Sequence, residues 1–268
     1  MTLVLFILAA LAYGAATFVY GAERTRDPGH DGADGLQKYG RLLLVLAVVL
    51  HFLAIGAQCV EGDHPLKNIF LATSFGTLIA VGGYLPLSRA GRLDALGPVM
   101  APLGLAGLTL GVVFSGLGEG SVPAAQGIAS AHVGFASAGL AGFALAAGVA
   151  SLYVVAEQRL RNKKFRPGRR GMSLAGLDRL HHRLVLLVTP VFTLAIVTGV
   201  LWILQAGGPD RLQGRVFEIG AAAIAWVASV SLLVARAAWG TRGRHSAMLT
   251  LLAFAAIVLI VVWYGVRT

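Results

Sequence analysis

Charge is what this sequence has least of. Asp, Glu, Lys and Arg make up 13% of its 268 residues, about half of what a soluble domain uses to stay hydrated. A secreted or cytosolic globular enzyme is therefore excluded. Cysteine is nearly absent as well: the single Cys59 has no partner for an internal disulfide, and without any CxxCH there is no attachment point for a covalent c-type haem. The redox compartment stays open. Paired carboxylates for hydrolysis, a GxSxG elbow, an HExxH zinc helix and a Walker loop are also missing. No enzymatic step is indicated.

What is present is apolar. Hydrophobic residues are 57% of the chain, and they gather in runs of about 20 residues, each long enough at 1.5 Å per residue to cross a hydrocarbon core of about 30 Å. Eight such runs are expected to be helices: Leu3 to Ala22, Tyr39 to Val60, Leu66 to Leu87, Leu93 to Gly116, Ile128 to Ala156, His182 to Gln205, Val216 to Ala237 and His245 to Val266. The fold class is an all-α polytopic membrane bundle in one membrane domain. The first run follows no positive n-region and leads into a charged loop, so it reads as a span rather than a cleaved leader.

The net charge of +10 is a topology signal. Sorting the 22 Lys and Arg by the side on which each loop falls puts eighteen on one side and only Lys67, Arg211, Arg215 and Arg267 on the other. Positive residues are retained in the cytoplasm, so both termini are expected outside. Anionic headgroups of the inner leaflet suffice as partners for this charge, without nucleic acid. The one large loop, Arg159 to Arg183, is basic, and Leu174, Leu177, Leu180 and Leu184 follow at helical spacing. They suggest a short interfacial helix with its leucines in the membrane. The loop serves as a topology anchor or as a docking site for a partner protein.

The membrane interior lacks carboxylates. All twelve acidic residues fall in loops or within about a turn of a span end, which disfavours an ion-coupled carrier. Histidines remain. His51 stands in the middle of span two and His132 about a turn below the outer surface in span five. A ring nitrogen in hydrocarbon is costly unless it is hydrogen-bonded or bound to a metal. Interhelical hydrogen bonding, metal or haem ligation, and proton relay are the available roles. Counted from the outer ends, the two rings differ in depth by about 7 Å, and they serve one site or two. His182 and His245, both at cytoplasmic span ends, form a second candidate metal or haem pair, against the alternative of interfacial anchoring.

Span five is rich in small residues from Gly134 to Gly148, and span four repeats the theme with Gly104, Gly107 and Gly111. Close helix packing uses such residues. A slot for a flat cofactor would use them too, with Phe52, Phe135 and Phe143 packing either on a macrocycle or on lipid.

The order of features from His132 to the C-terminus resembles the cytochrome c assembly protein family, the integral-membrane haem-handling proteins of the CcsA and HemX type. The matching pieces are a histidine opening a small-residue helix that ends Ser151-Leu-Tyr-Val-Val-Ala-Glu157, a basic loop, and Leu177-Asp-Arg-Leu180. Thr198-Gly-Val-Leu-Trp202, Ala225-Trp226 and Trp239-Gly-Thr-Arg-Gly-Arg244 follow. The N-terminal half agrees more loosely, through His51 and Asn68 to Phe75. Members that attach haem to apocytochrome carry a tryptophan-rich external segment where this chain has Gln205 to Gly214, and a histidine expected late in span seven is replaced by Leu233-Val-Ala-Arg236. The resemblance therefore implies the HemX-like branch and a role in haem supply, with haem b held non-covalently and its iron bound by His51 and His132. The implied partners are cytochrome-maturation, respiratory or haem-biosynthesis proteins, and the expected location is a bacterial cytoplasmic membrane. Two other functions stay open: a small-molecule membrane carrier whose substrate hydrogen-bonds these histidines, and a cofactor-free subunit of a respiratory or maturation complex.

Overall fold

The computed structural model describes residues 2–25, 33–91, 93–114, 127–163, 172–205 and 215–267. Among them there are eight α-helices and no strand: α1 (Thr2–Thr25), α2 (Ala33–Val60), α3 (Ile69–Gly91), α4 (Gly97–Val113), α5 (Gly127–Arg161), α6 (Leu174–Gln205), α7 (Val216–Trp239) and α8 (Arg244–Arg267). Seven are long and apolar enough to cross a membrane, and α4, with 17 residues, is shorter. The chain is a multi-pass integral membrane protein. Its helix interiors point large apolar side chains outward, with Leu11, Phe18, Phe52 and Leu187 each more than 60% exposed, as lipid permits and water does not.

Charged residues extend two helices beyond the apolar runs. The 35 residues of α5 and the 32 of α6 correspond to about 50 Å of helix, so both project past the hydrocarbon at the basic end. The separate interfacial helix expected at Leu174 to Leu184 is instead the first part of α6. Its leucines face protein: Leu177 is buried in the core around α1 to α4, and Leu180 and Leu184 pack against that core. The middle of the basic loop, 164–171, and most of the Gln205 to Gly214 segment lie outside the described residues.

The helices alternate in direction. At one end Gly40 of α2 and Gly97 of α4 lie against Tyr20 of α1, and Leu96, just ahead of α4, lies against Gly148 of α5. At the other end Thr2 donates to Glu61, Gly111 of α4 lies against Ser74 of α3, and Gly265 of α8 lies near Phe70 of α3. The short α4 therefore reverses the chain like the others, and Thr2 and Arg267 lie at the same end, opposite the basic loop. Central α5 packs against α3, α6 and α8, joining a layer of α1 to α4 to a layer of α6 to α8.

Small side chains set these contacts, because helices in lipid associate by close packing and polar bonds rather than by leaving water. A Cβ on Gly104 would meet the Tyr13 ring at 2.5 Å, and one on Gly107 would overlap Thr77. On α5 the same test brings Val188 to 2.5 Å of Gly142 and Phe192 to 3.1 Å of Gly139. Gly104, Gly107 and Gly111 of span four and Gly139, Gly142 and Gly148 of span five thus serve helix packing. Phe143 is buried against Phe192 at 5.3 Å between centroids, whereas Phe52 faces outward.

Candidate functional site

His51 is fully buried on α2 and both its ring nitrogens are engaged. Nδ1 lies 3.2 Å from the Tyr13 hydroxyl of α1, and Nε2 lies 2.9 Å from Ser74 Oγ of α3. A neutral imidazole has one donor and one acceptor, and each hydroxyl can play either part, so the ring is satisfied in both tautomers. Three helices are tied together at one point. The glycines of α4 make it possible, Gly104 receiving Tyr13 and Gly111 receiving Ser74. Ligation of iron by His51 would require one of these bonds to break. Ser74→Ala is expected to cost about 1–3 kcal/mol, because it strands a buried ring nitrogen. Thermal unfolding in detergent would register this as a lowered midpoint, and an unchanged midpoint would mean that Nε2 finds another partner.

His132 is different. It is half-buried near the start of α5, and its Nδ1 lies 2.7 Å from the carbonyl oxygen of Ala195 on α6. A carbonyl only accepts, so Nδ1 carries the proton and Nε2 holds the lone pair. No hydrogen bond from a described residue reaches that Nε2. Donation of one ring N–H to a backbone carbonyl is the arrangement that orients a metal-ligating histidine and raises its basicity. Ala195, Gly199 and Trp202 lie at i, i+4 and i+7, on one face of α6. Each has a part: Ala195 supplies the acceptor, the Trp202 indole stacks on the imidazole at 6.0 Å and 29°, and Gly199 leaves room. A Cβ on Gly199 would lie 2.8 Å from His132 Cε1 and 2.9 Å from Nδ1. The Thr198-Gly-Val-Leu-Trp202 motif thereby acquires a physical reason.

Arg215, at the start of α7, completes the layer. Its guanidinium lies 5.3 Å from the Trp202 centroid, on the same indole that stacks with His132. Nearby, Arg267 lies 5.3 Å from the Trp263 centroid and 3.9 Å from Glu218. This end of the bundle is aromatic and cationic. His51 takes its hydrogen-bond partners from α1 and α3 and His132 its partner from α6, so among the described residues the two expected ligands share no hydrogen-bond partner.

At the basic end the pair His182 and His245 is not joined by any described hydrogen bond. His245 is exposed, and Nδ1 of His182 is buried without a hydrogen-bond partner among the described residues. The histidine that links helices here is His181, buried, with Nε2 2.8 Å from Thr250 Oγ1 of α8. One turn earlier, Asp178 accepts two bonds from Arg236 of α7, at 2.8 and 3.2 Å, and a third from the Gly243 backbone N–H. Sequence reasoning passed over this cluster because its members are far apart along the chain. Its visible signal was Asp178 and His181 at i and i+3 beside a core leucine.

Among the described residues no group of three or more His, Cys, Asp or Glu is placed to hold a metal ion. The family model for the cytochrome c assembly protein matches residues 35–268. The match takes in α2 and His51 as well as the stretch from His132 onward. No curated protein and no solved structure matches the chain. A family match over nearly the whole bundle shows that the chain belongs to the cytochrome c assembly protein family, with a membrane role in cytochrome c biogenesis.

Proposed function

We propose that the chain handles haem b in the HemX-like manner, holding it non-covalently at the end of the bundle opposite the basic loop, with His132 as the residue that would hold its iron. The observation that carries this reading is the fixed tautomer of His132: Nδ1–H is committed to Ala195 and Nε2 is left as a donor to metal. The surroundings fit a flat, amphiphilic group. Trp202 stacks beside the ring, Gly199 keeps the wall thin, and Arg215 brings positive charge. When bound, the group supplies an iron porphyrin available for passage to another protein. What the chain itself does is orient one imidazole and hold it against α6.

His51 enters this reading as a structural bond between α1, α2 and α3, since both its nitrogens have partners inside the protein. The partners expected are cytochrome-maturation, respiratory or haem-biosynthesis proteins. Gentle purification followed by a pyridine haemochrome assay tests the reading. Haem b near one per chain supports it. Chain that is folded, free of haem and unable to take up added haem contradicts it, and favours a cofactor-free subunit.

A further inference from the structure

The two arginines at the His132 end differ in one respect. Arg267 has Glu218 as a carboxylate neighbour at 3.9 Å. Arg215 has no carboxylate within 4 Å among the described residues; its guanidinium lies by the face of Trp202 instead. An Arg over an aromatic ring keeps its N–H edge free, because the cation–π contact uses the flat face. The guanidinium edge is a rigid fork that matches a carboxylate with two parallel bonds. It also stands next to the stack that ends on His132, the residue offering a lone pair to metal. The indole therefore contacts two groups of different chemistry, an imidazole suited to a metal and a guanidinium suited to an anion.

We infer that Arg215 reads a carboxylate of the ligand whose metal His132 binds. The inference rests on the haem reading above and adds to it a specificity-determining residue. It requires the ligand to be both metal-bearing and acidic, and it predicts that neutralising the acid weakens binding. A carboxylate at the edge of hydrocarbon is poorly hydrated, so its pairing with Arg215 counts for more than an exposed ion pair would. Trp202 holds the guanidinium in place, and Lys at this position would lose both the fork and the stacking.

The test uses the full chain in detergent, titrated with iron protoporphyrin IX and separately with its dimethyl ester, with Soret absorbance as the readout. Wild type is expected to bind the diacid about tenfold more tightly than the ester, the scale of one charge-assisted bond. Arg215→Leu is expected to bring the diacid down to the ester's affinity and leave the ester's affinity unchanged. The ester also controls for folding, since a misfolded variant would lose both. Arg215→Lys is expected to fall between. If an Arg215→Leu chain whose circular dichroism matches wild type keeps the wild-type preference for the diacid, or loses both ligands equally, the assignment of Arg215 is wrong while the haem reading stands. If wild type binds neither porphyrin through His132, the haem reading fails and this inference fails with it.

Discussion

Gly199→Ala is expected to lower haem affinity by about ten- to a hundredfold, the usual cost of removing a partner that orients a metal-ligating histidine. The added methyl would sit 2.8 Å from His132 Cε1 and 2.9 Å from Nδ1, closer than carbon and nitrogen tolerate. The backbone of α6 is restrained, because it is anchored two and three turns before Gly199: Gly139 and Gly142 of α5 take Phe192 and Val188 into their open faces. The imidazole must move instead. It then loses its 2.7 Å bond to Ala195, its tautomer is no longer fixed, and the ring leaves the face of Trp202. Haem titration by Soret absorbance measures the effect, with circular dichroism to show the helices unchanged. Affinity equal to wild type would mean that the contact at Gly199 does not position His132.

The second large effect lies at the opposite end and concerns stability rather than binding. Arg236→Met is expected to destabilise the bundle by about 3 kcal/mol, the scale for removing one partner of a buried ion pair. Both side chains of the Asp178 and Arg236 pair are 12% exposed. Asp178 would retain only the Gly243 N–H, a bond made by a turn in which Gly240 and Gly243 both adopt positive φ, at 63° and 81°. That turn joins α7 to α8, so the carboxylate fastens α6, α7 and the start of α8 at one point. Unfolding in mixed detergent and sodium dodecyl sulfate would report the loss. The double variant Asp178→Asn with Arg236→Met should be less destabilised than the two single changes summed, because no lone charge remains. A single variant within 0.5 kcal/mol of wild type, roughly the noise of a surface change, would show that the pair is not structural.

Legibility followed the physics of each signal. Eight helices were readable because a bilayer imposes length on apolar runs, and the Leu66 to Leu87 and Val216 to Ala237 runs match α3 and α7 to within a turn or so. The ends of α5 and α6 were not readable in this way, since Glu157, Arg159 and Asp178 end a hydropathy run without ending a helix. His51 and His132 stood out as isolated polar rings in apolar sequence. Their partners did not: Tyr13, Ser74 and the Ala195 carbonyl are common groups, and only tertiary contact distinguishes them. For the same reason two histidines that look alike in the sequence have different surroundings, one ring closed by two hydroxyls and one whose Nε2 no described residue bonds.

The measurement that bears most directly on this difference is a haem titration of three proteins in parallel: wild type, His132→Ala and His51→Phe. The account predicts a Soret band in wild type, its loss in His132→Ala, and its retention in a less stable His51→Phe. A band that survives in His132→Ala, or that disappears in a folded His51→Phe, would contradict it.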